Sequence, residues 1–140
     1  IVTGDWSEDQ FSNVSKSLKN YDYGIEIQKV DWGNARDFLL GKRDFLLRLL
    51  ENPISLEHES FTELLRAVFH LTEELDHRED VRQLPDTDHK HLIGDAERAY
   101  TLLVHEWLNY MKYMKDNYPY LFSLALRTNP FDREASPIVK

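Results

Sequence analysis

Whatever metal or acid–base chemistry this chain can do rests on its six histidines and 25 acidic side chains, because it has no cysteine. That absence removes disulfides, thiol nucleophiles and thiolate metal sites together. The densest candidate is His70, Glu73, Glu74 and His77. Residues three and four apart share a helix face, so His70, Glu74 and His77 come within reach of one divalent metal ion. Glu74-x-x-His77 is also half of a di-iron helix pair, but a ferritin-like centre needs a second Glu-x-x-His on another helix, and the sequence has none. The plain alternative is a solvated polar face. At about 100° per residue, His70 and His77 point away from the stripe of Leu64, Val68, Leu71 and Leu75.

A second group, His89 and His91 close to Asp86, Asp88 and Asp95, could bind a surface metal or titrate near neutral pH. Residues two apart diverge on a helix, so His89-x-His91 does not present a shared face. His105-Glu106 opposes the Trp107 face, and His58, between Glu57 and Glu59, has no identifiable catalytic partner. Hydrolase and nucleotide motifs are missing: no Gly-x-Ser-x-Gly elbow, no His-Glu-x-x-His, no glycine-rich phosphate loop. The residues therefore predict a non-enzymatic domain with no cofactor, and a metal-binding enzyme or sensor stands as the alternative.

The elements that must position these groups are helical. Ser7-Glu8-Asp9-Gln10 forms a capping box, in which each side chain satisfies a free backbone N–H at the other end, with Trp6 and Phe11 placed as a hydrophobic staple. Asn20 to Gly24 stops that first helix. Ile25 to Val30 alternates apolar and polar residues, and Ile1-Val2-Thr3 is its nearby partner for a two-stranded ribbon. Asp31 or Asn34 caps a second helix whose Phe38, Leu39, Phe45, Leu46, Leu49 and Leu50 share a face, weakened at Gly41 and ended before Pro53. Ser60-Phe61-Thr62-Glu63 repeats the capping-box pattern and opens a third, with Phe61, Leu64, Leu65, Val68, Leu71 and Leu75 on one side.

Arg78 to Pro85 reads as a charged loop, after which Asp86 or Thr87 caps the longest helix, running to about Asn117. Ile93, Ala96, Tyr100, Leu103, Trp107, Met111, Met114 and Tyr118 recur along it in steps of three and four, the seam of a helix packed along its length. A helix of roughly 30 residues extends about 45 Å, longer than the others, so part of it must meet something else or project. Pro119 suits the first turn of a last helix to about Arg127, closed by Asn129-Pro130. The fold predicted is all-α: a bundle of four or five helices with one long helix and a minor N-terminal strand pair. It forms a single domain over residues 1–140, with 1–30 as an extension and 131–140 as a polar tail.

Seventeen basic against 25 acidic side chains leave a formal charge of -8, a surface that repels phosphate backbones, so nucleic acid is excluded as a partner and a basic protein is admitted. No apolar run approaches the ~18 residues of a membrane span, and no signal peptide opens the chain, so a membrane could be met only through segments outside it. The expected location is the cytoplasm. The aromatic run Tyr110, Tyr113, Tyr118, Tyr120 and Phe122, with Trp107, Met111 and Met114, fits a core within one chain or a contact between subunits. Tyr100, Trp107, Met111, Met114 and Tyr118 are the candidate interface of a homo-oligomer.

Two stretches carry a resemblance: Phe61-Thr-Glu-Leu-Leu-Arg-Ala-Val-Phe-His-Leu-Thr-Glu-Glu-Leu75, and Glu106 to Asp132, above all Asn117-Tyr-Pro-Tyr-Leu-Phe-Ser-Leu and Arg127-Thr-Asn-Pro-Phe-Asp. Over Phe38 to Lys140 the chain resembles a helical cytosolic region of archaeal and bacterial two-transmembrane, potassium-channel-like proteins. The resemblance implies an assembly or regulatory domain on the cytosolic side of an ion-channel-like protein, acting through helix–helix contacts. It assigns no ligand-binding residue, and the pore helices and filter lie outside these residues.

Overall fold

The computed structural model describes residues 6–18 and 30–139, and every regular element among them is a helix. Seven helices follow in order: α1 (Glu8–Leu18), α2 (Trp32–Gly41), α3 (Arg43–Glu51), α4 (Pro53–Leu56), α5 (Glu59–Asp76), α6 (Asp86–Asn117) and α7 (Pro119–Arg127). The strand pair expected from Ile1–Thr3 and Ile25–Val30 lies, Val30 apart, outside the described residues.

Several helix limits follow directly from local chemistry. At α1 the Ser7 N–H donates to Gln10 Oε1 (2.7 Å) and the Gln10 N–H to Ser7 Oγ (3.3 Å), the reciprocal capping box. Trp6 and Phe11 meet edge to face at 5.3 Å as its staple. Asp31 caps α2 by accepting from the Asn34 N–H at 3.0 Å. Pro119 occupies the first turn of α7.

Two limits differ from the sequence reading. The helix expected from Asp31 to before Pro53 is broken at Lys42, directly after Gly41, where the backbone leaves helical geometry (φ -101°, ψ 1°) and the Lys42 N–H turns back to the Leu39 carbonyl. The second capping box does not form, because α5 already begins at Glu59 and Ser60 lies inside it. The turn of α4, capped by Asn52, delivers the chain one residue early, and the Thr62 hydroxyl donates instead to the Ser55 carbonyl at 2.7 Å.

The chain divides into two compact units. One combines α1 with Trp107–Lys140, and the other holds the described residues from Val30 to Glu106. In the first, Phe11, Leu108, Met111, Met114 and Phe122 form the buried cluster, with Trp6, Val14, Trp107, Ala125 and Leu126 half-buried against it. In the second, α5 packs on α2, α3 and α4. Trp32, Leu71, Leu75, Val81 and Leu92 are the second unit's buried cluster.

The long apolar stripe of α6 is therefore not buried as one seam. Met111 and Met114 are buried, whereas Tyr100, Leu103 and Tyr118 are exposed and Leu92, Ala99 and Leu108 take core positions. No helix among the described residues is long and apolar enough to cross a membrane.

Candidate metal centre

The loop between α5 and α6 spans only residues 77–85, and so short a connection makes the two helices antiparallel neighbours. Their polar contacts confirm that direction. As the residue number falls along α5 from Arg78 to Glu74 and His70, the partner on α6 climbs from Asp88 to His91 and Asp95. Leu71, Leu75 and Leu92 pack behind these residues and fix the register.

Two imidazoles and two carboxylates converge in the middle of this ladder. His70 Nε2 lies 3.4 Å from Glu74 Oε1 and 3.3 Å from Asp95 Oδ2. His91 Nε2 lies 3.5 Å and 3.4 Å from the same two oxygens. Each helix supplies one His and one carboxylate four residues apart, so each half-site is built by helical spacing alone. One ligand atom each from His70, Glu74 and Asp95 lies within 4.8 Å of the other two, a set that could hold a metal ion, and His91 Nε2 approaches the same two carboxylates.

The electrostatics favour a cation. Asp95 Oδ2 is shut off from water and accepts no hydrogen bond, a costly state for a carboxylate oxygen unless a positive centre faces it. Glu74 sits near the C-terminus of α5, where the free carbonyls are themselves negative. Arg78 offsets part of this: its guanidinium binds Asp88 through two 2.7 Å bonds and Glu74 Oε2 at 2.8 Å, and reaches the Glu74 carbonyl. Hydrogen bonding from Arg78 holds both Glu74 and Asp88 below their ordinary carboxylate values, burial opposing it in each. Two carboxylates, Glu74 and Asp88, thus face the Arg78 guanidinium, and Asp95 adds a third carboxylate that meets only the two imidazoles.

Of the residues singled out in the sequence, His70 and Glu74 belong to this group and His77 does not. His77 ends α5, and its Nδ1 is 2.7 Å from the Glu73 carbonyl oxygen. Glu73 accepts from Arg43 Nε at 2.7 Å. His89 is engaged elsewhere: Trp32 Nε1–H donates to its Nδ1 at 3.0 Å, which leaves the imidazole proton on Nε2. His91 and Asp95 complete the set. Sequence reasoning placed the two half-sites in separate clusters; the signal that joins them is the short loop, which brings residues equally far from it on α5 and α6 face to face.

The candidate interface residues scatter. Met111 and Met114 are buried in the core of the first unit, Trp107 stacks edge to face on Phe131 at 5.3 Å, and Tyr118 is exposed against Tyr113 at 5.9 Å. Tyr100 is also exposed, in the other unit.

Residues 1–127 match the family model "Uncharacterized protein MJ1433, C-terminal helical domain". The chain is 51% identical over 134 residues to "Uncharacterized protein MJ1433" of Methanocaldococcus jannaschii, an alignment covering 96% of this chain and 54% of that protein. The chain therefore spans about half the length of the curated relative it matches. No solved structure matches it.

Proposed function

The chain belongs to the MJ1433 C-terminal helical domain family, and from that premise we propose that it is a metal-binding domain in which His70, Glu74, His91 and Asp95 hold one divalent transition-metal ion. The helices act as a bundle whose α5–α6 face carries the site. The observation behind this reading is the closed ring of 3.3–3.5 Å approaches between two imidazole nitrogens and two carboxylate oxygens. A mixed nitrogen and oxygen set suits zinc, manganese or ferrous iron better than soft cuprous ion. Arg78 plays the supporting part, orienting Glu74 while its oxygen Oε1 stays directed at the imidazoles.

Elemental analysis of the protein after zinc loading and gel filtration tests the reading: about one ion per chain is expected, and His70→Ala and His91→Ala each lose it. A wild-type protein that retains no stoichiometric metal, or an unchanged content in both variants, overturns it.

A second reading, assembly within a larger ion-channel-like protein, is favoured by the exposed apolar strip of Tyr110, Tyr113, Tyr120, Leu121 and Leu124. Concentration-dependent sedimentation that Tyr120→Ser and Leu121→Ser reduce is its expected outcome, and a monomer at all concentrations overturns it.

A further inference from the structure

We propose that the groove running on from His70 binds a phosphate-type oxyanion through Arg66 and Arg98, with the anion's free oxygens directed toward the metal-bearing end. The inference rests on the metal reading for that last contact only. An open groove of about 340 Å³ is lined by Glu63, Arg66, Ala67, His70, Arg98 and Leu102, with Glu63, Arg66, His70 and Arg98 all exposed. It continues the α5–α6 ladder: Arg66 lies one turn before His70 on α5, and Arg98 lies three residues after Asp95 on α6.

The rungs of the ladder change character at this point. Arg78 meets Asp88, Glu74 meets His91, and His70 meets Asp95, each an acid against a base. The next rung places two arginines along one open groove, with Glu63 as the only carboxylate in its lining. Among the described residues no ion pair engages either arginine. In a chain of net charge -8, two exposed guanidiniums that line one groove, with no ion pair among the described residues, are a local inversion of sign that attracts an anion.

A tetrahedral oxyanion fits the chemistry better than a carboxylate. Each guanidinium presents a planar fork that takes oxygens in pairs. A carboxylate offers two oxygens, both engaged by one fork, whereas inorganic phosphate has four, enough for a pair at one arginine, one at the other and one directed toward His70. Glu63 is the opposing group, repelling the dianion from the outer end.

Calorimetric titration with inorganic phosphate, in chloride buffer and on zinc-loaded protein freed of excess metal, tests this with metal content measured on the same samples. Arg66→Gln and Arg98→Gln are each expected to weaken phosphate about tenfold or more, as the loss of charge-assisted hydrogen bonds requires. Glu63→Gln should tighten it, a change of sign that a general loss of structure cannot mimic. Zinc retained but phosphate binding absent, or unaffected by both arginine substitutions, overturns the anion site and leaves the metal reading standing. Zinc absent but arginine-dependent phosphate binding present overturns the metal reading and upholds the anion site. An absence of both sinks the two together.

Discussion

Before Glu106, α6 offers α5 a face on which Asp88, His91 and Asp95 surround Leu92; from Trp107 onward it joins Phe11 and Phe122 through Leu108, Met111 and Met114. The first stretch meets its neighbour through ionisable groups, some of them shut off from water, and the second through apolar side chains that need only be covered. A dry apolar contact is satisfied by any neighbour of suitable shape. A buried carboxylate oxygen such as that of Asp95 is satisfied only by a particular partner at a particular distance, and this makes the first stretch the place to look for chemistry.

The largest expected effects separate the two stretches by stability and metal content. Met111→Ala, at a fully buried side chain, should cost about 2–5 kcal/mol in denaturant unfolding, and it should leave zinc stoichiometry unchanged. Leu75→Ala, equally buried but adjacent to Glu74, should cost a similar amount and lower zinc affinity as well. If both lost zinc equally, the division of labour along α6 would not hold.

Next in size is the stabilisation by metal. Free zinc at about a hundred times its dissociation constant should raise unfolding stability by about 2.7 kcal/mol, measured as a melting shift that a chelator reverses. His91→Ala and Asp95→Asn should abolish that shift, while Met114→Ala, in the apolar stretch, should keep it.

Arg78→Ala is expected to cost roughly 2–3 kcal/mol, because it removes a paired contact to Asp88 and leaves Glu74 facing the negative end of α5. The same contacts set a pH dependence. Glu74 and Asp88 are held below their ordinary values of 4.5 and 3.8, so their contribution is present above those values and is lost as the pH falls through the lower, folded-state ones. Stability curves measured from pH 6 to pH 2 should fall on the acid side in the wild type and flatten there in Arg78→Ala. The smallest effect is expected at Tyr120, 92% exposed: Tyr120→Ser should change stability by less than about 0.5 kcal/mol, and a larger loss would mean that this side chain is covered in solution.

Much of the secondary structure was legible without coordinates because helix ends are local. Ser7 and Gln10, Asp31 and Pro119 act within a turn of themselves, and the α5 stripe of Leu64, Leu65, Leu71 and Leu75 is buried as its spacing requires. The failures have tertiary causes. Ser60 lost its capping role because α4 delivers the chain at Glu59, and the α6 stripe was read as one seam although Tyr100, Leu103 and Tyr118 are exposed.

The candidate site divides along the same line. Spacing of three and four residues sufficed to put His70 beside Glu74, and the same rule places His91 beside Asp95, since such pairs depend only on helical pitch. Which pair faces which depends on the register of α5 against α6 and on the rotation of each about its own axis, and these are set by how Leu71, Leu75 and Leu92 pack. A slip of one residue turns a helix by about 100°, enough to carry His91 away from Glu74 and send His77 in a different direction. The sequence by itself therefore determined the helices and the two half-sites; only the tertiary packing decided that the halves would meet.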